Sequence, residues 1–232
     1  CAYYKSDDDS LKEAQLNKDR YILQKLVTNP GKELLDIGSG WGTLLFMAAE
    51  EFDLHATGIT LSQEQYDYTK QQIESRHLQN KVTVLLEDYR ELKGNFDYIT
   101  SVGMFEHVGK ENLGLYFKKV QELLAPEGRA LIHGITGQHM GAGVDQFIRK
   151  KIKKNSYIPN IAENLKHIMD ANLQFTDIEP LRFHYQRTLE TWYQNYLRVE
   201  QQVIEKYGER FDRMWSLYLQ ACAASFEVGN ID

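Results

Sequence analysis

The 232 residues predict an α/β fold: a doubly wound parallel sheet with an α-helical insert. Three observations carry that expectation. Short apolar runs at 34–37, 55–59, 82–86, 96–102 and 129–135 alternate with helix-like segments. A glycine-rich turn, Leu34-Leu35-Asp36-Ile37-Gly38-Ser39-Gly40-Trp41-Gly42, runs from the first apolar stretch into a helix-like segment. After His133 the alternation stops and aromatic-rich helical stretches take over.

The elements follow in order. Ser10-Leu11-Lys12-Glu13 is a capping box, in which a serine and a glutamate satisfy each other's backbone donors, and it predicts a helix to about residue 26. The preceding Asp7-Asp8-Asp9 reads as a solvated helix entry favoured by the helix dipole, with an acidic metal site as the alternative. Helices are expected at 43–51, 62–76 and 112–124, between the strands. Beyond the sheet, helices are expected at 144–154, 161–171, 189–206 and 209–228, with a sixth strand at 174–181. Trp192, Tyr193, Tyr196, Trp215, Tyr218 and Phe226 fall in the last two helices and read as core and lid packing.

Length and composition suit one large domain, with 42% apolar residues to form its core. The net charge of −6 argues against general nucleic-acid binding. No apolar run approaches the ~18 residues of a membrane span. Cys1 and Cys222 do not make a disulfide framework, no signal peptide is visible, and the chain reads as cytoplasmic. Because it opens on Cys1 rather than Met, it reads as part of something longer.

A nucleotide-like ligand belongs in the crevice at the carboxyl ends of such strands. The second strand ends in Gly58-Ile59-Thr60-Leu61, without the acid that holds a dinucleotide's ribose, so NAD is disfavoured. Gln65 opens the next helix, either as a polar ligand contact or as the second half of a capping box with Ser62. Asp88-Tyr89 after the third strand suits an adenine, the carboxylate accepting the exocyclic amine and the ring stacking. Glu106 and His107 follow the fourth strand, as loop polars or at the crevice mouth. A carboxylate in the apolar loop Met104-Phe105-Glu106-His107-Val108 requires a partner.

These residues resemble a known family. The chain is similar to the class I S-adenosylmethionine-dependent methyltransferases, and more closely to the cyclopropane-fatty-acyl-phospholipid synthases and mycolic-acid cyclopropane synthases. The resemblance runs from Cys1-Ala2-Tyr3-Tyr4 through Ala14-Gln15-Leu16-Asn17-Lys18, Leu35–Gly42, Gly58–Ser62 with Gln65, and Asp88-Tyr89-Arg90. It continues through Ser101–Val108, His133, His184-Tyr185-Gln186-Arg187-Thr188-Leu189, Tyr207–Phe211 and Tyr218–Cys222. The glycine motif is shared by many methyltransferases; the Phe-Glu-His and His-Tyr-x-x-Thr-Leu stretches are far more specific. The resemblance implies a class I methyltransferase (Rossmann-like) sheet with an N-terminal lid region at 1–30, a cofactor core at 31–136 and a helical substrate insert at 137–232. It implies that Gly38, Gly40, Gly42, Thr60, Leu61, Gln65, Asp88 and Tyr89 hold S-adenosyl-L-methionine. It further implies that Cys1, Glu106, His133 and Tyr185 surround a bicarbonate ion beside the transferred methyl group, and it implies no metal. Relatives carry an N-terminal domain ahead of the position of Cys1 and a last strand beyond Asp232. Lys153-Lys154-Asn155-Ser156 also replaces a family loop motif.

The implied activity is cyclopropanation of the cis double bond of an unsaturated phospholipid acyl chain. Attack of the alkene on the sulfonium methyl leaves a carbocation, and ring closure then removes a proton from the new methyl. A weakly nucleophilic anion escapes alkylation by the cofactor, so bicarbonate suits the base. His133 and Tyr185 serve as donors to it and Glu106 as acceptor. The alternatives are methylation of another lipid or small molecule, and a lipid-surface or cofactor-binding fragment without turnover. The basic run Arg149-Lys150-Lys151-Ile152-Lys153-Lys154 is either a solvated helix face or a contact for anionic headgroups. The latter predicts a peripheral protein on the inner face of the membrane, with a homodimer as a further expectation for the full-length protein.

Overall fold

A computed structural model describes residues 1–139, 146–152 and 157–232, except for the side chains of Gln146, Arg149 and Lys151. The elements run in chain order α1 (Leu11–Lys25), β1 (Glu33–Ile37), α2 (Thr43–Glu51), β2 (His55–Thr60), α3 (Gln63–Ser75), β3 (Val82–Leu86), β4 (Phe96–Val102), α4 (Leu113–Leu123) and β5 (Leu124–His133). They continue with α5 (Gln146–Lys151), α6 (Ile161–Asp170), α7 (Arg182–Leu197), α8 (Glu200–Tyr207) and α9 (Glu209–Glu227).

The strands form one parallel sheet in the order β3-β2-β1-β4-β5. The chain builds outward from β1 to β3, then returns to place β4 on the other side of β1. That reversal opens a crevice at the carboxyl ends of β1 and β4, where ligands of open α/β sheets bind. β1 is buried over Leu34–Ile37, as a central strand covered on both faces must be. Leu34 packs with α1 and α2 on one face, and Leu35 and Ile37 pack with α4 on the other. The capping box on α1 is fully formed: Glu13 N–H donates to Ser10 Oγ, and Ser10 N–H donates to Glu13 Oε2 at 3.0 Å.

Three expectations are corrected. The segment 174–181 is not a sixth strand. Its apolar residues Phe175 and Ile178 stay about half exposed, Pro180 lacks an amide for a ladder, and charged groups dock it on α1 instead. Lys25 pairs with both Asp177 and Glu179, and Tyr21 donates to Glu179 at 2.9 Å. The helix expected at 189–206 begins earlier, just past Pro180, and is broken at Arg198-Val199 into α7 and α8. The last strand starts at Leu124, with a register shift against β4, and ends at His133 rather than at 135. Downstream, Thr136 and Asp232 exchange backbone hydrogen bonds at 2.7 and 2.9 Å, and Gly137 bridges Ile231 antiparallel.

α7 and α9 pack together over Leu189, Tyr196, Leu219, Ala223 and Phe226, with Ile135 beneath them, so this helical layer sits beyond the end of β5. The basic run 149–154 falls on α5 only in part; residues 153–156 lie outside the described residues. Among the described residues, no helix is long and apolar enough to cross a membrane, and no His, Cys, Asp or Glu cluster could hold a metal ion.

Candidate active site

A cavity of about 560 Å³ opens at the carboxyl ends of β1, β2 and β4. Of the residues expected to hold a cofactor, Gly38, Gly40, Thr60, Leu61, Gln65, Asp88 and Tyr89 line it; Gly42 does not. The glycine turn is fastened to β2 because the Gly38 and Ser39 amides both donate to Ile59 O at 3.0 Å. Gly40 has φ +54, and a side chain built there would meet nothing within 4 Å, so its bare backbone faces open space. Gly42, at φ +79, points the other way: an added Cβ would lie 2.9 Å from Thr69 Cγ2 and 3.0 Å from Phe46 Cζ. Its lack of a side chain lets α2 and α3 approach.

Thr60 donates to Gln65 Oε1 at 2.8 Å, which turns the glutamine carbonyl toward the end of β2. The Ser62 hydroxyl accepts from Gln65 N–H at 3.3 Å, but Ser62 N–H donates to Thr60 at 3.1 Å. Only half of a capping box therefore exists, and Gln65's side chain belongs to the cavity wall. Asp88 is held by Arg90, whose guanidinium donates to Oδ1 at 3.0 Å and to Oδ2 at 2.6 Å. Those bonds hold its carboxyl below the usual range. They leave further lone pairs for another donor. Tyr89 meets the buried ring of Tyr116 edge-on, with centroids 5.6 Å apart, so its orientation is set by the core.

A short 3₁₀ turn, Phe105–His107, separates this cavity from a second group of polar residues. His107 lines the cavity, while Phe105 and Glu106 are buried. Glu106 Oε1 accepts from Ile135 N–H at 3.0 Å, which supplies the partner that the sequence demands. Its Oε2 is buried and has no hydrogen-bond partner. Ile135 went unnoticed in the sequence because its contribution is a backbone amide, which any residue type would supply. The intervening Gly134 passes against Phe105, leaving no room for a side chain: an added Cβ would sit 1.8 Å from the ring.

His133 ends β5 beside Val102 of β4. Its Nε2 lies 3.5 Å from Cys1 Sγ, and its Nδ1 is buried without a partner. Burial is the largest influence and pushes the imidazole well below the ordinary histidine value, with the positive charge of Lys18 adding to it, so the ring is neutral at neutral pH. Tyr185 stacks on His133 with centroids 5.8 Å apart, and on its other side on Phe226 at 4.6 Å. Burial, reinforced by the nearby Glu106 carboxylate, raises the Tyr185 phenol, which stays protonated as a donor. The family resemblance named Cys1, Glu106, His133 and Tyr185, which the fold brings near one another, but not Phe226, which lies far downstream in α9 and carries no local signal beyond being aromatic.

Beneath the glycine turn, Asp36 is 4% exposed and accepts from Thr100 Oγ1 at 2.8 Å. Burial raises it to about 7. Asp19, also buried, pairs with Lys18 at 3.0 Å. An ionisable layer therefore joins α1 to β1 below the site.

Known proteins resemble this chain in sequence and in fold. A family model described as mycolic acid cyclopropane synthetase matches residues 1–232. The chain is 38% identical over its full length to a probable fatty acid methyltransferase of Pseudomonas putida, and 38% identical to the cyclopropane-fatty-acyl-phospholipid synthase of Escherichia coli K12. It spans about three fifths of those relatives, 61% and 59% of their length. Among solved structures, the cyclopropane synthase MmaA2 of Mycobacterium tuberculosis superposes with a TM-score of 0.92 at 30% identity, covering 100% of this chain and 86% of that one. The mycolic acid cyclopropane synthase CmaA1, complexed with SAH and CTAB, gives a TM-score of 0.92 at 31% identity with the same coverage. The fold is that of the class I S-adenosylmethionine-dependent methyltransferases, and the chain belongs to the mycolic acid cyclopropane synthetase family.

Proposed function

We propose that this chain is the catalytic part of an S-adenosylmethionine-dependent cyclopropane synthase acting on cis-unsaturated phospholipid acyl chains. The observation that carries the reading is the Glu106–His133–Tyr185–Cys1 cluster across one 3₁₀ turn from the cofactor-sized cavity, in which Glu106 Oε2 and His133 Nδ1 are buried atoms without partners. Family membership supports it.

The residues fit both implied groups. The bare backbone of Gly40, the carboxylate of Asp88, the ring of Tyr89 and the amide of Gln65 converge on one cavity and would hold the cofactor. S-Adenosylmethionine supplies an electrophilic methyl group there. Orphaned polar atoms that are buried require a partner, and a small hydrogen-bonding anion satisfies both of these. If Cys1 S–H donates to His133 Nε2, then Nδ1 carries the ring's proton and becomes a donor. His133 Nδ1–H and the Tyr185 phenol would then donate to the oxygens of bicarbonate, and Glu106 Oε2 would accept its hydroxyl proton. Bicarbonate supplies a base too weakly nucleophilic to be methylated.

The chain's own groups complete the chemistry. The stacked faces of Tyr185 and Phe226 provide electron-rich surface for a transient cation. The net change adds one methylene to the alkene and releases S-adenosylhomocysteine and a proton.

The test is incubation of the full-length protein with cofactor and vesicles of a cis-monounsaturated phospholipid. Mass spectrometry should show a gain of one methylene, and proton NMR should show ring protons replacing the alkene signal. A methylene gain with a retained alkene signal points to simple methyl transfer to the chain; an unchanged lipid removes the proposal. Reaching acyl chains in a bilayer calls for surface attachment, and the basic run around the exposed Lys150 supports it. Each basic group near an anionic surface contributes roughly 1 kcal/mol. Vesicle binding should therefore weaken with added salt, and unchanged binding after charge reversal at Lys150, Lys151 and Lys154 would sink the attachment.

A further inference from the structure

The segment ahead of α1 has no regular structure, yet it is fixed across α7 by a specific set of contacts. Tyr4 N–H donates to Nδ1 of His184 at 3.1 Å. A backbone amide can only donate, so Nδ1 is unprotonated and the imidazole is the neutral Nε2–H tautomer. Tyr3 stacks on the same imidazole with centroids 4.4 Å apart, and its ring also stacks on Tyr21 of α1 at 4.3 Å. One column of rings thus joins α1, the N-terminal segment and α7. Arg187, one turn along, lies over the Tyr4 ring at 4.1 Å and donates to Ser6 O at 3.3 Å and Asp7 Oδ1 at 3.0 Å.

The consequence is a matter of register. His184 adjoins Tyr185, and Tyr4 lies three residues from Cys1. The hydrogen bond between Tyr4 and His184 is therefore the contact that ties the backbone leading from Cys1 directly to the residue next to Tyr185, alongside the Tyr4 hydroxyl on Thr191 at 3.4 Å and the Tyr3 amide on Ala14 O at 2.8 Å. We propose that His184 is a positioning residue that works as a pH-sensitive latch: neutral, it holds the Tyr4 backbone and the Cys1–Tyr4 stretch against α7, and protonated it loosens that stretch while Arg187 keeps Ser6 and Asp7 in place. The link to turnover rests on the cyclopropanation reading; the latch itself does not.

The charges around the ring decide the direction. On α7, Arg187 opposes a second positive charge. From the docked segment, Glu179 favours one, but that carboxylate already holds Lys25 and Tyr21. From the N-terminal segment, Tyr3 and Tyr4 present neutral groups, and Asp7 is taken by Arg187. Burial is the largest influence and holds His184 below the ordinary histidine value. A proton on Nδ1 would face the Tyr4 N–H donor to donor and cancel the bond. The latched form thus prefers the neutral ring. Its advantage is complete above about pH 6.5, the ordinary histidine value, and declines as pH falls below that.

Hydrogen exchange at the Tyr4 amide of the full-length protein reads the latch directly. Expressed as a protection factor, which removes the intrinsic pH dependence, protection in the wild type should fall by up to about tenfold between about pH 7.5 and about pH 5.5. His184→Asn keeps an acceptor near the position of Nδ1 without a titrating group and should hold protection level across that range. His184→Ala should lose protection at both pH values and lower kcat about tenfold, with the KM for S-adenosylmethionine unchanged, because the cofactor cavity does not include this segment. Equal wild-type protection at the two pH values, or a His184→Ala protein as protected as wild type, overturns the latch. Absence of a cyclopropane product would defeat the reaction proposal and leave the exchange result standing.

Discussion

The cofactor cavity and the polar cluster lie on either side of one 3₁₀ turn and are built in opposite ways. The cavity is made by short stretches that each follow a strand: Gly38 and Gly40 after β1, Thr60–Gln65 after β2, Asp88 and Tyr89 after β3. Its shape comes from backbone geometry, and its polar groups already have protein partners. The cluster is made by side chains from the N-terminal segment, the 3₁₀ turn, β5 and α7, and two of its buried atoms have none. A pre-satisfied, open surface suits reversible binding. Buried atoms left without partners suit a site whose geometry matters during a chemical step, because unsatisfied groups in low dielectric interact strongly with whatever enters.

The contrast predicts a clean separation of phenotypes, and Glu106→Gln tests its strongest case. Glutamine keeps an oxygen for Ile135 N–H at the position of Oε1, so the fold should survive. The other side-chain atom becomes a donor, which cannot accept a proton from a bound base. General-base assistance is worth about 10²- to 10⁴-fold in rate, and turnover should fall by that much while S-adenosylmethionine affinity stays within a few-fold. Tyr185→Phe and His133→Gln should behave likewise. Loss of cofactor binding in parallel with turnover would show that the two regions are one site energetically.

The glycines sharpen the same comparison from the other side. Gly40→Val places a branched side chain in the cavity and should weaken cofactor binding by more than about tenfold, or 1.4 kcal/mol. Gly42→Ala, two residues away, drives its Cβ against Thr69 and Phe46. Both positions have positive φ, which costs an L-residue about 1–2 kcal/mol; only Gly42 adds a collision. Calorimetric titration and thermal melts should show affinity lost mainly at Gly40 and melting temperature lost mainly at Gly42. Equal affinity losses would mean that the cavity extends beneath Gly42.

The same division explains what the sequence revealed. The strands from Glu33–Ile37 to Phe96–Val102 were legible because buried parallel strands are continuous apolar runs bounded by turns. The cavity was legible because its residues cluster at those strand ends. The segment 174–181 was not: Phe175, Ile178 and Leu181 give it the apolar content of a short strand, and only Lys25, Asp177 and Glu179 in three dimensions show that it docks on a helix instead. The start of α7 at Arg182 was missed for a related reason, since no side chain caps it. For the cluster, family resemblance named Glu106, His133, Tyr185 and Cys1, whereas spacing alone could not bring four distant segments together. Ile135, Phe226 and His184 act through an amide, a ring face and a ring nitrogen that become specific only once the chain has folded.

The smallest effect is expected where the two regions' logic is weakest, at Cys1. Its Sγ lies 3.5 Å from His133 Nε2, a distance ordinary for sulfur, whose hydrogen bonds are weak. If its thiol donates to Nε2, its service to the cluster is to fix the imidazole tautomer with Nδ1 as the donor, rather than to meet a reacting atom. Cys1→Ser retains a donor on a shorter bond, so the contact lengthens but the tautomer preference survives. Losing part of one such bond is worth about 0.5–1.5 kcal/mol, or roughly 2- to 10-fold in rate. Cys1→Ala removes the donor altogether and frees the ring to place its proton on Nε2, which turns Nδ1 into an acceptor. Turnover should therefore fall in the order wild type, Cys1→Ser, Cys1→Ala, with the alanine variant closer to His133→Gln than the serine variant is. Equal rates for the serine and alanine variants would show that the thiol is packing against His133 rather than setting its proton.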